Sequence, residues 1–556
     1  MMAAPRTEYG TGIRLSMLLE GYAPVSPTDE REILGLSLDS RSTRPGDLFL
    51  ANQGGARHGA EFIEDAVRAG AVAVAMESNA ATPTAMQSVP VYDIVALGQK
   101  IGHIAARFYG HPSHDLTVIG VTGTNGKTSV THFLAQALSD TVRREESGVT
   151  VRSEALGVRR NTSSPLTPHS SPAEGLCGLI GTLGSGLYGR LESGSHTTPD
   201  AVTLQALLAQ LHERGASNVV MEVSSHGLEQ GRVNGVEFDI AVFTNLSRDH
   251  LDYHPDMTAY GAAKHRLFQM PGLRHAVVNC DDDFGRELLS TLPKGVEPLA
   301  FGLSAYDVAG IAQVRGLNLR LHSQGLSLDV ESPWGAGRLE SALWGRFNAS
   351  NLLAALAVLL TMGVPLADAL QRLSRVSPVP GRMERIAGRP GQPTVIVDYA
   401  HSPDALQQAL AAMHEHSGDG QGRPSVAGTG RPGATTGRRV WCVFGCGGGR
   451  DRGKRPLMGA IAERYSDFVV VTDDNPRHED PVGIVAEILA GMANPYAVYV
   501  RRDRAEALAF AIRHAKPADT ILVAGKGHED YQLIGAEKIP FSDREQAAKL
   551  LAARGK

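Results

Sequence analysis

Cysteine is scarce, with only Cys177, Cys280, Cys442 and Cys446 in a chain of 556 residues. That is too few for a disulfide framework. Cys442 and Cys446 are spaced C-x3-C, but no second Cys/His pair stands nearby to complete a zinc site, so all four are expected to be ordinary buried thiols. No apolar run reaches the roughly 18 residues of a membrane span, and Met1–Gly21 lacks the apolar core of a signal peptide. A basic surplus is also missing. Lys+Arg number 54 against 59 Asp+Glu, a formal net charge of −5, which argues against a general nucleic-acid binder. What remains is the composition of a globular cytoplasmic protein, 42% hydrophobic and 20% charged.

The length suggests about three or four domains, and three sections can be separated. Residues 1–112 hold short apolar runs such as Asp47–Ala51 and Ala71–Met76 and a helical pattern at Glu61–Ala69, which predicts a small α/β unit. In 113–378, strand-like runs at Leu116–Val121, Asn218–Val223, Ile240–Asn245 and His275–Cys280 alternate with helical stretches, and Asn348–Met362 reads as a long buried helix. Strands alternating with helices predict a parallel sheet covered on both faces. In 379–556, runs at Thr394–Asp398, Arg439–Gly445, Phe468–Thr472 and Thr520–Ala524 predict a second, Rossmann-like doubly wound domain. The fold class is therefore α/β throughout. Ser417–Arg438, rich in Gly and Pro, and Asn161–Ala173, rich in Ser, Thr and Pro, fit no element and read as surface insertions without an assigned role.

The most informative stretch is Gly120–Ser129 (GVTGTNGKTS), where a predicted strand ends in a glycine-bearing turn followed by Lys-Thr at a helix start. Glycines let backbone N–H groups close around phosphate oxygens, and the helix N-terminus adds partial positive charge. Gly123, Thr124, Asn125, Gly126, Lys127, Thr128 and Ser129 are thus candidate ATP-binding residues. Lys127 is placed to reach the β/γ-phosphates, and the Thr128 hydroxyl to ligate magnesium. The strict G-x-x-x-x-G-K-[ST] pattern fails, because Val121 stands where its first glycine belongs. By itself this loop indicates nucleotide binding and does not separate a ligase from a kinase, a switch GTPase or a motor.

GTNGKT together with MEVSSHGL (Met221–Leu228), TNLSRDHLDY (Thr244–Tyr253), AAKHRLF (Ala262–Phe268), GRFNASN (Gly345–Asn351), GRME (Gly381–Glu384), DYAHSPDAL (Asp398–Leu406), Val443–Met458, TDDNPR (Thr472–Arg477) and GKGHEDY (Gly525–Tyr531) resembles the Mur ligase family, in family order over nearly the whole chain. The resemblance implies an ATP-dependent ligase that joins an amine to a carboxylate in peptidoglycan precursor synthesis. It implies ATP and Mg2+, with two metal sites, as cofactors, and a monomer acting on small-molecule substrates.

Glu222, at the end of an apolar strand, and His250 are then metal ligands beside Thr128, although each alone can also be read as a structural residue. Lys264 alone reads as a solvated helix charge; the resemblance implies that carbon dioxide carbamylates it into an anionic ligand. Lys127, Glu222, His250 and Lys264 form the implied catalytic set. Arg382 would neutralise phosphate charge, and Asn348, Asn351, Asp398 and His401 fall in blocks that meet the nucleotide. The plainer reading of the two asparagines is capping of the long helix, and that of His401 is a hydrogen-bonded turn histidine.

The resemblance also places the substrates. Residues 1–112 would bind a UDP-sugar, with Leu38 and Ser40 in a uridine loop, though Gly54–Arg57 departs from the family pattern there. Thr197, Thr198, Ser224, Gln230 and Arg232 would hold the sugar peptide, UDP-N-acetylmuramoyl-L-alanyl-D-glutamate. The central domain would bind ATP and the C-terminal domain the incoming amino acid. There Arg450, Asp474, Asn475, Pro476, Arg477, Gly525 and Glu529 match the contacts for meso-diaminopimelate. Arg477 suits a second carboxylate, because a guanidinium fork pairs with it bidentately; as plain sequence, DNPR is a proline turn with a surface arginine. Open alternatives are an L-lysine-adding member, an amide ligase of the folylpolyglutamate synthetase type and a P-loop switch protein.

Overall fold

The computed structural model describes residues 12–53, 57–78, 88–146, 176–194, 196–304, 306, 308–386, 388–389, 391–416 and 438–554. The Asn161–Ala173 segment, residues 54–56 and 417–437 lie outside them.

Three principal sheets organise the described residues. The first is a four-stranded parallel sheet in the order Gly35–Ser37, Asp47–Ala51, Ala73–Glu77, Val91–Ile94. All five residues of Asp47–Ala51 are buried, as a strand covered on both faces requires. The Leu97–Phe108 helix covers one face with Leu97, Ile101, Ile104 and Ala105. Their apolar cluster extends to Ala201 and Val202 on the Ala201–Glu213 helix of the next unit. At that junction a Cβ on Gly102 would strike the Asn234 carbonyl, and one on Gly235 would strike the Gly102 carbonyl.

The central sheet has eleven strands. Its middle is parallel, in the order Leu176–Gly181, Ala216–Glu222, Thr117–Thr122, Ile240–Phe243, His275–Asn279, Glu297–Gly302 and Ala312–His322. Both margins turn antiparallel. Gly184–Leu187 and Arg190–Glu192 extend one side, and Gly325–Ser332 and Gly335–Ser341 the other. The sequence patterns did not announce these margins. Along Ala312–His322 exposed and half-buried residues dominate, so the strand has no continuous apolar run.

The long apolar helix is Arg346–Thr361, buried continuously from Leu352 to Leu360. A helix apolar all round must be enclosed, and this one lies in the core cluster with Val130, Phe133 and Leu134 of the Lys127–Glu146 helix. Its N-cap is Gly345, whose φ of +95° suits glycine, and no side chain caps it. Neither Asn348 nor Asn351 is therefore the cap. Asn348 Nδ2 donates instead to Trp344 O at 2.8 Å, and Asn351 Nδ2 to Asn348 Oδ1 at 3.1 Å.

The third sheet runs Glu384–Ile386, Thr394–Asp398, Thr520–Ala524, Val440–Phe444, Phe468–Val471, Tyr499–Val500, and only the first strand is antiparallel. The four cysteines are free and buried, and burial pushes the Cys177, Cys442 and Cys446 thiols up to about 12. Among the described residues no helix is long and apolar enough to cross a membrane.

Candidate active site

The phosphate loop joins the Thr117–Thr122 strand to the Lys127–Glu146 helix at the carboxyl edge of the sheet, where open α/β folds bind ligands. Gly123 and Gly126 take φ of +145° and +87°. A Cβ at the first would meet Thr244 Oγ1 and at the second Asn351 Oδ1, so the loop is built for glycine at both places. The segment after the neighbouring Ile240–Phe243 strand grips this loop. Thr124 N donates to Asn245 O at 2.8 Å, Asn125 N to Asn245 Oδ1 at 2.9 Å, and Thr244 Oγ1 to Asn125 O at 2.6 Å.

Two lysines converge on it, Lys264 buried and Lys127 half-buried. Lys127 Nζ donates to Gly123 O at 2.7 Å and Thr124 O at 2.9 Å, and Lys264 Nζ donates to the same Gly123 O at 2.8 Å. Lys264 is 1% exposed, not the solvated helix charge that its sequence setting alone suggests. Burial, reinforced by Lys127, drives its ammonium well below the usual lysine range. Lys127 is lowered as well, chiefly by burial.

Glu222 links two parts of the site. One carboxylate oxygen accepts from Thr128 Oγ1 at 3.0 Å and Thr182 Oγ1 at 3.1 Å, and the other from Thr182 N at 2.8 Å. Beyond it lies one hydrogen-bonded patch. Thr182 Oγ1 is 3.1 Å from Thr197 Oγ1, Thr198 Oγ1 donates to Glu222 O at 3.0 Å, and Ser224 N donates to Thr198 Oγ1 at 3.0 Å. Arg232 donates to Thr198 O at 2.8 Å and to Gln230 Oε1 at 2.7 Å. Thr197, Thr198, Ser224, Gln230 and Arg232 are thus brought together, next to the phosphate loop. Leu38 packs on the N-terminal core, and Ser40 is buried beside the Asp39 turn.

His250 has φ of +54° and lies 3.6 Å from Asp249 Oδ2, the oxygen that His401 Nε2 also approaches to 3.6 Å. Burial lowers the His250 imidazole to about 3. Burial would raise the Asp249 carboxyl, but the hydrogen bond and charge of His401 and the charge of His250 outweigh it and hold it below the usual range. His254 bridges Ser225 Oγ at 3.0 Å and Glu229 Oε2 at 3.2 Å, and so ties the segment carrying His250 to the Ser225–Glu229 helix. Among the described residues no group of three or more His, Cys, Asp or Glu could hold a metal.

Several contacts join the central and C-terminal units. Arg382 Nη2 donates to Thr128 Oγ1 at 3.3 Å, with its guanidinium 4.2 Å above the Tyr399 ring. Asn125 Nδ2 donates to Asp404 Oδ2 at 3.0 Å. Arg450 and Asp252 pair at 3.5 Å, and Arg248 and Asp451 at 3.4 Å. Asp398 accepts from Met383 N at 2.7 Å and Ala400 N at 2.8 Å, and burial raises its carboxyl. His401 Nδ1 is 2.8 Å from Tyr399 O.

In the C-terminal unit Asp474, Asn475, Pro476 and Arg477 follow the Phe468–Val471 strand, and Gly525 and Glu529 follow Thr520–Ala524. Asn475 Nδ2 donates to Glu529 Oε2 at 2.9 Å. Arg477, at φ +54°, donates from Nη1 to Gly448 O at 2.8 Å, and its backbone is held by Leu533 O at 2.9 Å. Arg450 is brought to the junction with Asp252 rather than into contact with this group.

Residues 32–109 match the description "Mur ligase family, catalytic domain", 121–359 "Mur ligase middle domain" and 381–527 "Mur ligase, glutamate ligase domain". The chain is 46% identical over 547 residues to the UDP-N-acetylmuramoyl-L-alanyl-D-glutamate--2,6-diaminopimelate ligase of Alkalilimnicola ehrlichii, covering 97% of this chain and 99% of that protein. It belongs to the Mur ligase family. The protein of the same name from Pseudomonas aeruginosa is 47% identical over 529 residues, covering 95% of this chain and 97% of its own. A solved structure titled as the same ligase aligns with a TM-score of 0.64 at 31% identity, covering 98% of this chain and 100% of that one.

Reasoning from sequence missed several residues of this Mur ligase site. Thr244, Asn245 and Asp249 stand inside the Thr244–Tyr253 stretch, and their types, hydroxyl, amide and carboxylate after an apolar strand, are the available signal. Thr182 follows a strand that no pattern announced. Lys526 lies inside GKGHEDY, and only its burial marks it out.

Proposed function

We propose that the protein is an ATP-dependent ligase that adds meso-diaminopimelate to the D-glutamate γ-carboxylate of UDP-N-acetylmuramoyl-L-alanyl-D-glutamate. The observation that carries this reading is Glu222. It joins Thr128 of the phosphate loop, through Thr182, to the patch of Thr197, Thr198, Ser224 and Arg232. A nucleotide γ-phosphate and a carboxylate substrate bound at these two places meet on one side chain. The names of relatives that align over nearly their whole length supply the substrate.

A carboxylate is a poor electrophile. Transfer of the γ-phosphate to it gives an acyl phosphate, which the amine attacks, and phosphate then leaves. Lys127 and Arg382 balance charge on the transferring group, and the loop backbone positions it. Family members use ATP and Mg2+. Mg2+ binds through one or two carboxylates with substrate phosphates completing its shell, and Glu222 with the Thr128 hydroxyl fits that donor set. Bound there, the ion would neutralise phosphate charge. Lys264 is proposed to react as a neutral amine with carbon dioxide, losing a proton, to give a carbamate that serves a second ion with His250. Its depressed basicity supports that reading.

The proposed units are 1–112 for the UDP-sugar, 113–378 for ATP and 379–556 for the amino acid. Arg477, Asp474, Asn475, Gly525 and Glu529 would receive the amino acid, with Arg450 reaching in from the junction. Phosphate release with ATP, the UDP-sugar dipeptide and a panel of amines tests the assignment. Turnover dependent on meso-diaminopimelate is expected; equal turnover with L-lysine would remove the specificity, and turnover without any amine would remove the ligase.

A further inference from the structure

Lys526 is fully buried, and a lysine is rarely so unless its charge is matched. Its Nζ donates to Asn475 Oδ1 at 3.0 Å and to Glu529 Oε2 at 3.0 Å, and lies 3.5 Å from Asp474 Oδ1. The consequences reach both neighbours. Asn475 Oδ1 accepts from Lys526 and from Leu533 N at 3.0 Å, which fixes the amide so that its Nδ2 faces Glu529. Asp474 Oδ1 is buried and accepts no hydrogen bond among the described residues. Such an atom is costly unless something donates to it.

The local charges decide what Lys526 does. Arg504 and Asp543, both fully buried, pair through two contacts of 2.8 Å, and the Arg504 charge also reaches Asp474 and Glu529. Direct contact with both carboxylates comes from Lys526, 3.5 Å from Asp474 and 3.0 Å from Glu529, with Arg477 nearby on the same loop as Asp474. Without Lys526 two carboxylates would share this pocket against the one cation Arg504, itself paired with Asp543, and would repel each other and any anionic part of a substrate.

We propose that Lys526 is a positioning residue for the amino-acid site: it holds Asn475 and Glu529 in place and offsets one of the two carboxylates, so that the pocket takes one substrate ammonium and tolerates a second substrate carboxylate. The inference rests on the reading of meso-diaminopimelate as the amine. L-Lysine has the same two amines and one carboxylate fewer, so it probes the charge balance directly.

The test compares Lys526→Met, which removes charge and donor, with Lys526→Gln, which removes charge alone, in the full chain. Both should raise KM for meso-diaminopimelate by roughly tenfold or more, as loss of a buried charge partner does. KM for ATP and for the UDP-sugar dipeptide should stay unchanged. The ratio of kcat/KM for meso-diaminopimelate over L-lysine should fall in both, because the more negative pocket penalises the extra carboxylate. Thermal unfolding reports whether each variant is folded. Parallel rises in all three KM values with an unchanged ratio, or failure of both variants to fold, would mean a structural role and overturn the proposal, as would wild-type KM and ratio. A wild-type protein that does not use meso-diaminopimelate sinks the functional reading instead, and the phosphate-release assay detects that separately.

Discussion

Lys264 and Gly123, 141 residues apart in sequence, meet through a 2.8 Å hydrogen bond from the lysine amine to the carbonyl that Lys127 also holds. Two ammonium groups on one oxygen repel each other, and burial disfavours both charges. Lys264 is the one driven well below the lysine range, and only a neutral amine reacts with carbon dioxide. Lys264→Ala should lose most activity. Wild-type enzyme freed of carbon dioxide should regain rate when bicarbonate is added. Wild-type turnover by the alanine variant would sink the idea.

Arg477 holds a left-handed backbone with its guanidinium on Gly448 O. Arg477→Lys keeps the charge and loses the planar fork. KM for meso-diaminopimelate should rise by about ten- to a hundredfold, the range of one charged hydrogen-bonded contact, while KM for ATP is unchanged. Steady-state kinetics with each substrate varied in turn would show otherwise if Arg477 were only a turn residue.

His132 supplies a pH dependence. Burial, with the charge of Arg382 adding to it, lowers its imidazole to about 4, and its Nε2 is buried without a hydrogen-bond partner. Between pH 6.5 and about 4 the unfolded chain takes up a proton here and the folded protein does not. Stability therefore falls as pH drops through that window and is unaffected by this group above it, by on the order of 3 kcal/mol at the bottom. His132→Leu should flatten this acid limb, read as the difference in denaturant midpoint between pH 7 and pH 4.5 for variant and wild type.

The Arg504–Asp543 pair is buried at both ends, and Arg504 also donates to Ala524 O at 2.9 Å, directly before Gly525. Asp543→Ala strands a guanidinium in the core and should cost about 3–5 kcal/mol, whereas replacing both partners with apolar residues should cost much less. Chemical denaturation of the single and double variants distinguishes a buried pair from two independent contacts.

What could be read in the sequence tracks how local the cause is. Asp47–Ala51, Thr394–Asp398 and Thr520–Ala524 were bounded correctly because each is a short apolar run enclosed on both faces. Ala312–His322 escapes a reading of apolar runs, since its exposed and half-buried residues outnumber its buried ones. The phosphate loop carries its chemistry in consecutive residues and was legible. Thr182 owes its place to Glu222, 40 residues away, and Lys526 owes its to Asn475, 51 residues away, as well as to Glu529 three residues on; nothing beside either in the chain says that it is buried.

The two junctions between units differ in kind. Where Leu97–Phe108 meets the central unit, Gly102 and Gly235 lie backbone to backbone with room for a hydrogen and nothing larger, and an apolar cluster runs through to Val202. The C-terminal unit meets the central one in two places. Near the phosphate loop stand polar pairs, Arg450 with Asp252, Arg248 with Asp451 and Asn125 with Asp404. The other is a packed contact, where Trp344 stacks on His416 at 4.6 Å and Phe347 joins the C-terminal core. The first junction is a weld; the second joins a packed pivot at Trp344 and His416 to a set of clasps beside the phosphate loop. A hinge motion about that pivot should therefore carry the proposed amino-acid site toward the proposed ATP and sugar-peptide sites, whose two units move as one piece. Distance labels across the second junction should report substrate binding, and labels across the first should stay fixed.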